Sequence, residues 1–296
     1  MPRPGEGSRA IALIRRGGPD YPDALTDLRS PPAKLYALGD TTALRLAPNR
    51  LVAIVGTRDA SPYGVRVATE LARAFAAVGV GVVSGLARGV DSAAHQGALE
   101  VGGSTIAVLG TGVDVPYPVG NRGLHADVVD KGLVLSEFEP GMMAVRGCFP
   151  RRNRIIAALA LVTIVVEAPY KSGAINTATQ ALELGRIVAA VPGPIDSSRS
   201  AGSNLLLRDG AQVIATVDDA LSLFGATRRR GVQRGELTRL ETLVFEALEP
   251  GSASAEVIGS RVGITVREVL EAAGRLEVNG LVHQSSSGEL ERLAGR

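Results

Sequence analysis

The stretch LVAIVGTRDASPYGVRVATELARAFAAVGVGVVSGLARGVD, residues 51–91, contains two short runs rich in β-branched residues, separated by an amphipathic segment. The runs at 51–56 and 80–84 have the length and composition of buried strands, and 63–78 has the periodicity of a helix. Near-continuous apolar strands that alternate with helices are typical of a parallel sheet covered on both faces. The stretch therefore predicts an α/β fold.

The same alternation continues to residue 224. It predicts further strands at 105–109, 133–136, 162–167, 187–191 and 212–215, and helices at 91–101, 120–130, 153–160, 174–185 and 217–224. We therefore predict an extended Rossmann-like domain with a parallel sheet over 51–224. Residues 1–50, rich in Pro, Gly and Arg, form a lead-in segment without clear periodicity.

A second, smaller domain is predicted after a basic linker at 225–236. Three short helical patterns and a two-stranded hairpin over 237–296 resemble a winged helix. This segment holds six arginines against nine glutamates, 6 − 9 = −3. Because a module that grips duplex phosphates should be basic, the charge favours a domain for protein contacts, or at most a weak DNA reader.

Composition limits the possible classes. The chain has 296 residues, 45% of them hydrophobic, and a formal charge of +2, so a sizeable core is expected and bulk charge does not indicate nucleic acid. A single cysteine, Cys148, excludes an internal disulfide. No signal-peptide pattern or apolar span of membrane length is visible, which predicts a soluble, cytoplasmic protein. No GxGxxG motif follows the first strand, no GxxxxGK[ST] motif or metal-ligand spacing occurs, and we expect no cofactor.

The run FPRRNR at 149–154 is the most informative candidate for chemistry. Asn153 is a good N-cap, so the run reads as a loop that feeds a helix N-terminus, which favours anions. Its arginines can bind phosphates and its phenyl ring can stack on a base. Taken alone, the run fits a solvated basic loop equally well.

The segments after the other predicted strands favour the phosphate interpretation. In an open α/β sheet, ligands bind outside the carboxyl ends of the strands. Glycines and hydrogen-bond donors follow five successive strands there, at 56–58, 84–91, 110–121, 136–137 and 167–173. The pattern predicts one extended anion-binding groove, in which placement rather than bulk charge matters, since 51–224 holds 14 Lys and Arg against 15 Asp and Glu.

Taken together, these segments resemble the DNA-processing protein A family (DprA, also called Smf). The resemblance is carried in family order by IVGTR (54–58), SGLARGVDSAAH (84–95), GTGVDVPYPVGN (110–121), SEFEPG (136–141), FPRRNRIIAALA (149–160), VVEAPYKSGAINTA (165–178), AVPGP (190–194) and GSNLLLRDGA (202–211). It implies a Rossmann domain that binds single-stranded DNA, a homodimer, and loading of the RecA recombinase during natural transformation. The residues that it implies for DNA binding are Thr57, Arg58, Gly85, Ala87, Arg88, Phe149, Arg151, Arg152, Asn153, Arg154, Lys171 and Ser172.

The resemblance has limits, and two other hypotheses stay open. Thr57 stands where the family usually has serine, and the sequence shows no counterpart of the small helical N-terminal domain that many members carry. An enzyme on the same scaffold, resembling the "Lonely guy" phosphoribohydrolases, would use Glu167 as its acid or base, but the PGGxGT-type loop of those enzymes is missing. The third hypothesis is an adaptor that acts through its winged helix.

Overall fold

The computed structural model describes residues 10–46, 50–226, 237–248, 252–278, 281–285 and 288–292. The chain divides into two compact units, Met1–Thr227 and Arg228–Arg296. The proposed linker at 225–236 lies almost wholly outside the described residues.

The first unit is built on a nine-stranded sheet with the order β1-β2-β6-β5-β4-β3-β7-β8-β9. In this spatial order, all neighbouring strands from β6 across to β9 are parallel, whereas the pairs β1–β2 and β2–β6 are antiparallel. The α/β class and the large, mostly parallel sheet are confirmed. The strands are β1 (Ala12–Arg15), β2 (Lys34–Gly39), β3 (Leu51–Val55), β4 (Gly81–Ser84), β5 (Thr105–Val108), β6 (Leu133–Ser136), β7 (Val162–Val165), β8 (Ile187–Ala190) and β9 (Gln212–Val213).

The lead-in segment contributes two strands that the sequence analysis did not predict. β2 pairs with β6, with Tyr36 opposite Ser136 and Ala37 opposite Leu135, and β1 pairs with β2. β1 has only four residues, so its alternation is too short to stand out among prolines and glycines. These two strands therefore form because they pair onto the edge strand β6, and not because of a pattern in their own sequence.

Helices cover both faces of this sheet. Successive residues of β3 point to opposite faces, so Val52 and Ile54 pack with Phe75 of α1, while Ala53 and Val55 pack in the core that contains Ile155 of α4. The helices are α1 (Pro62–Ala77), α2 (Val90–Glu100), α3 (Arg122–Lys131), α4 (Cys148–Leu159), α5 (Gly173–Glu183), α6 (Ala201–Arg208) and α7 (Val217–Ser222). α6 was not among the predicted helices.

The start of α4 differs from the prediction. The helix begins at Cys148, after Gly147 in a left-handed conformation (φ 93°), so Asn153 is not its N-cap. Pro150 is compatible with this because the N–H groups of the first turn have no partner within the helix. The run 149–154 therefore forms the first turns of a helix and is not a loop.

The second unit contains three helices, α8 (Arg239–Ala247), α9 (Ala255–Val262) and α10 (Val266–Val278), and a hairpin of β10 (Val282–Gln284) and β11 (Leu290–Arg292). They enclose a separate apolar core. The predicted helices and hairpin are present, and the winged-helix assignment stays a prediction.

Strand order creates a switch point in the first unit. From β3 the chain adds β4, β5 and β6 on one side, then crosses to add β7, β8 and β9 on the other. The connections at the carboxyl ends of β3 and β7 therefore diverge and leave a crevice, where ligands bind in open α/β sheets. Across the described ranges, no helix has the length and apolarity to cross a membrane.

Candidate nucleic-acid interface

The crevice at the switch point is a cavity of about 710 Å³. It brings together segments that lie far apart in the chain, from Val55 to Thr177. The predicted residues that line it are Thr57, Arg58, Ala87, Phe149, Arg152, Asn153 and Ser172. A second cavity of about 320 Å³ adds Gly85 and Arg88 and shares Arg58, Phe149 and Arg152 with the first. Nine of the twelve predicted residues thus meet at one edge of the sheet, and Arg151, Arg154 and Lys171 line neither cavity.

Two helix N-termini border the larger cavity. Its wall includes Gly147, Phe149 and Pro150 at the start of α4, and Ser172 and Gly173 at the start of α5. The Ser172 hydroxyl caps α5 by accepting a hydrogen bond from the Ile175 N–H, at 3.4 Å. The positive ends of two helix dipoles therefore lie beside the cavity, where they favour negative charge.

Exposed cations surround the cavities. Arg58, Arg88 and Lys171 are exposed, and within the described ranges none of them has a carboxylate partner. The Arg58 guanidinium lies 5.3 Å from the centroid of the Phe149 ring, in cation–π geometry. These are the side chains that can reach phosphates without first breaking an ion pair.

Arg152 does not fit the role of an exposed phosphate contact. It is 5% exposed. Its Nη1 donates to the carbonyl oxygens of Gly85, at 2.7 Å, and Val108, and its Nε donates to the Asn153 Oδ1, at 3.2 Å. Burial lowers its pKa to about 10, with the Arg58 charge acting in the same direction and Asp91 opposing it. Arg152 therefore joins α4 to the ends of β4 and β5 through Nη1, and it also lines both cavities.

The loop after β4 is also occupied from within. The carboxylate of Asp91 accepts hydrogen bonds from the Gly85 N–H, at 3.2 Å, and the Ala87 N–H, at 3.4 Å. The expected phosphate-binding donors of this loop thus serve a buried carboxylate. Burial raises the pKa of Asp91, and the Arg152 charge acts against that rise. Arg88 is the exposed group that the loop presents.

Asn153 is buried and structural. Its side-chain N–H groups donate to the Gly173 carbonyl, at 3.2 Å, and to the Asn176 side chain, at 3.1 Å. These bonds hold the N-terminus of α5 against α4. Thr57 is buried as well, and its hydroxyl accepts a hydrogen bond from the Asp59 N–H.

Two predicted arginines converge on one carboxylate instead of on the cavities. The Glu137 Oε2 lies 2.6 Å from Arg154 and 3.0 Å from Arg151. Arg154 also donates to the Ser30 carbonyl, and burial lowers its pKa. Since the side chain of Arg151 is 62% exposed, it could still reach an outside anion, whereas Arg154 serves to fix the lead-in segment.

Comparison with known proteins identifies the family. The family model described as DNA recombination-mediator protein A matches residues 12–225. The chain belongs to the DNA recombination-mediator protein A family. It is 43% identical over 258 residues to a putative DNA processing protein DprA of Mycobacterium tuberculosis, an alignment that covers 84% of this chain and 66% of that protein. It is 40% identical over 204 residues to DprA of Streptococcus pneumoniae, covering 69% and 71%. The alignment thus spans slightly less than two thirds of the mycobacterial relative.

Solved structures of DNA processing protein A agree with this fold. The Streptococcus pneumoniae structure superposes with a TM-score of 0.68 at 38% identity, covering 72% of this chain and 74% of that one. The Helicobacter pylori protein, described by its single-stranded DNA binding mode, superposes with a TM-score of 0.66 at 34% identity, covering 73% and 96%.

One side chain at this edge of the recombination-mediator fold was not predicted. Tyr117 lines the smaller cavity, and its ring centroid lies 5.2 Å from that of Phe149, with the planes inclined at 33°. The sequence placed it in a strand-end loop, but nothing local indicated that the loop would bring it to a ring 32 positions further along.

Glu167, which follows β7, is the acid or base of the enzyme hypothesis. Its side chain lies against the N-terminus of α1. It is 4% exposed, and its carboxylate accepts hydrogen bonds from the Ser61 hydroxyl, at 2.5 Å, and the Ser61 N–H, at 2.9 Å. The carboxylate therefore caps the N-terminus of α1, where negative charge is favourable.

Proposed function

We propose that this chain binds single-stranded DNA, without strong sequence preference, along the carboxyl edge of its parallel sheet. One observation carries the proposal. The rings of Phe149 and Tyr117 are in contact at the switch point, and exposed cations such as Arg58 and Arg88 lie beside them. These cations have no carboxylate partner in the described structure. Cations that follow a phosphate backbone together with rings that stack on bases are the combination used for single strands. Family membership and the single-stranded DNA binding of the Helicobacter pylori relative support the same ligand.

The aromatic pair argues for a single strand over a duplex. A ring can stack on a base only where the base is unpaired and turned outward. Phe149 and Tyr117 adjoin a cavity of about 320 Å³, so a base must leave a stack to reach them. A duplex would offer phosphates to Arg58 and Arg88 but no accessible base face.

We propose further that the protein acts as a recombination mediator in the cytoplasm, as a homodimer that loads RecA onto the bound strand during natural transformation. The family description and the relatives named DNA processing protein support this role. We propose no catalytic step. Glu167, the carboxylate that a phosphoribohydrolase would need, is engaged with Ser61. Release of free base from AMP by the purified protein would refute that part.

The direct test compares single-stranded and double-stranded oligonucleotides in gel-shift titrations at several salt concentrations. We expect tighter binding of the single strand and a linear fall of log K with log salt. Arg58→Ala with Arg88→Ala should weaken binding and reduce the magnitude of that slope by about 0.7 for each phosphate that is no longer neutralised.

Arg208→Ala is the matched control. Arg208 is paired with the adjacent Asp209 at the end of α6, near the amino ends of the parallel strands. Its replacement should leave the affinity for DNA and the salt slope unchanged. Equal affinity for the two kinds of DNA, or an unchanged slope in the double variant, would contradict the proposal.

A further inference from the structure

The loop that follows β4, residues 85–88 and here called the β4 loop, contains a strained backbone. Among the described residues, Leu86 is the one residue other than glycine with a positive φ, 57°. A Cβ disfavours this left-handed conformation, so a leucine adopts it only where the surrounding contacts impose it. Leu86 is fully buried in an apolar cluster with Leu109 and Val113. Its side chain therefore anchors the loop to the core.

Asn121 fixes the backbone of this strained residue. Its side chain donates to the Leu86 carbonyl at 2.8 Å and to the Ser92 hydroxyl at 2.9 Å. The Ser92 hydroxyl donates in turn to the Ala87 carbonyl at 2.6 Å. Asn121 stands at the N-cap position of α3, where asparagine commonly bonds to its own helix, yet its side chain makes no such bond. The side chain serves the β4 loop instead of α3.

The remaining bonds of the β4 loop leave its cation free. The Asp91 carboxylate accepts hydrogen bonds from the Gly85 and Ala87 N–H groups. Arg152 donates to the Gly85 carbonyl. None of these bonds involves the side chain of Arg88, which is exposed. The network therefore fixes the backbone from which Arg88 projects and leaves its guanidinium available.

The β4 loop is also joined to the segment that carries Arg58. The Val90 N–H donates to the Thr57 carbonyl at 3.3 Å. Gly89 has a φ of 78°, and a Cβ at this position would collide with the Thr57 carbonyl. The two backbones thus pass in contact, and Arg58 and Arg88 both line the smaller cavity. Cations on fixed backbones lose less conformational entropy when they bind a ligand than cations on mobile ones.

We propose that Asn121 is a positioning residue for DNA binding. It maintains the left-handed conformation of Leu86, and this conformation directs Arg88 into the cavity wall that it shares with Arg58. Asn121 itself contacts no phosphate and acts through Arg88. The proposal rests on the proposed function, since it identifies what places one of the cations of that interface.

Asn121→Ser tests the assignment, because serine can still cap α3 but is too short to reach the Leu86 carbonyl. Gel-shift titrations of oligothymidylate at several salt concentrations give the affinity and the salt slope. We expect the magnitude of the slope to fall by about 0.7 and the affinity to fall by about five-fold at 0.1 M salt, which is the counterion-release contribution of one phosphate.

Combined variants show whether Asn121 acts through Arg88. Adding Asn121→Ser to Arg88→Ala should change neither the affinity nor the slope, because the phosphate contact is already lost. Adding it to Arg58→Ala should reduce the slope by about 0.7 more, since those two substitutions remove different contacts.

Asn204→Ser is the matched control. The Asn204 side chain accepts a hydrogen bond from the Gly193 N–H at 3.1 Å and donates to the Gly193 carbonyl at 2.9 Å, in the loop after β8. The substitution therefore removes two side-chain hydrogen bonds, as Asn121→Ser does, from a loop that lines neither cavity of the interface. It should leave the salt slope unchanged.

Hydrogen exchange of the Ala87 N–H, followed by NMR, examines the β4 loop of the wild-type protein without any substitution. We expect slow exchange, because this N–H is bonded to Asp91 in a loop that Asn121 holds closed. Exchange at the rate of an open loop would overturn the assignment even if Asn121→Ser failed to fold.

The outcomes distinguish two failures. If the wild-type protein shows no preference for single strands, the proposed function is wrong and this assignment falls with it. If the wild type prefers single strands but Asn121→Ser keeps the wild-type slope, adds to the effect of Arg88→Ala, or only matches Asn204→Ser, the proposed function stands and the assignment to Asn121 is overturned.

Discussion

Arg152 offers the sharpest test of how this interface is built, because sequence and structure give it different roles. As an exposed phosphate contact, it would matter for DNA affinity and hardly for stability. As the buried group that the structure shows, it matters for stability first. Replacement by methionine keeps most of the side-chain volume and removes the charge and all its donors.

The expected magnitude follows from the hydrogen bonds and the charge that the substitution removes. Arg152→Met leaves the carbonyl oxygens of Gly85 and Val108 without this donor and removes the positive charge that offsets the buried carboxylate of Asp91. Breaking a buried charged arrangement by removing one partner costs about 3–5 kcal/mol. Arg151→Ala removes a guanidinium that is 62% exposed and paired with Glu137, so it should cost about 1 kcal/mol or less.

Urea unfolding followed by circular dichroism measures both variants against the wild type, with the transition of the first unit as the readout. Arg152→Met should lower its free energy of unfolding by several kcal/mol more than Arg151→Ala. A stability equal to that of Arg151→Ala, together with a salt slope of DNA binding reduced by about 0.7, would refute the structural role and restore the phosphate contact.

Two further predictions concern the stability of the first unit and involve Gly85 and His95. Gly85→Ala should destabilise the first unit by about 1–3 kcal/mol in the same urea assay, because its Cβ would collide with the Arg152 guanidinium, and Gly120→Ala, in open space, is the control. His95 is fully buried and burial lowers its pKa to about 3, so its unfolded form binds a proton below pH 6.5 that the folded form does not. The free energy of unfolding should therefore fall by about 2 kcal/mol as the pH is lowered from 7.5 to 5. His95→Asn should lack this part of the fall. Equal pH dependence of the two proteins would contradict the assignment to His95.

Most of the parallel strands could be predicted because they are short, buried, mainly apolar runs, a local property. The start of α4 could not, because a proline near a basic run suggests a turn as readily as the first turn of a helix. The burial of Arg152 depends on the Gly85 and Val108 carbonyls, 67 and 44 positions away in sequence. The contact of Tyr117 with Phe149 depends equally on tertiary structure. Sequence thus located the edge of the sheet where the site lies, and only the fold assigned roles within it.

Ion pairing explains how a nearly neutral domain can present a cationic edge. Many arginines of the first unit are paired with carboxylates: Arg186 with Asp27, Arg199 with Asp59, and Arg151 and Arg154 with Glu137. The cations that line or flank the cavities without such a partner in the described structure are Arg58, Arg88, Arg146 and Lys171. The opposite charges of an ion pair largely cancel at a distance, whereas unpaired cations at a shared edge add to one another within the Debye length of about 8 Å. The salt dependence of DNA binding should therefore reflect these few side chains, and not the total number of arginines in the chain.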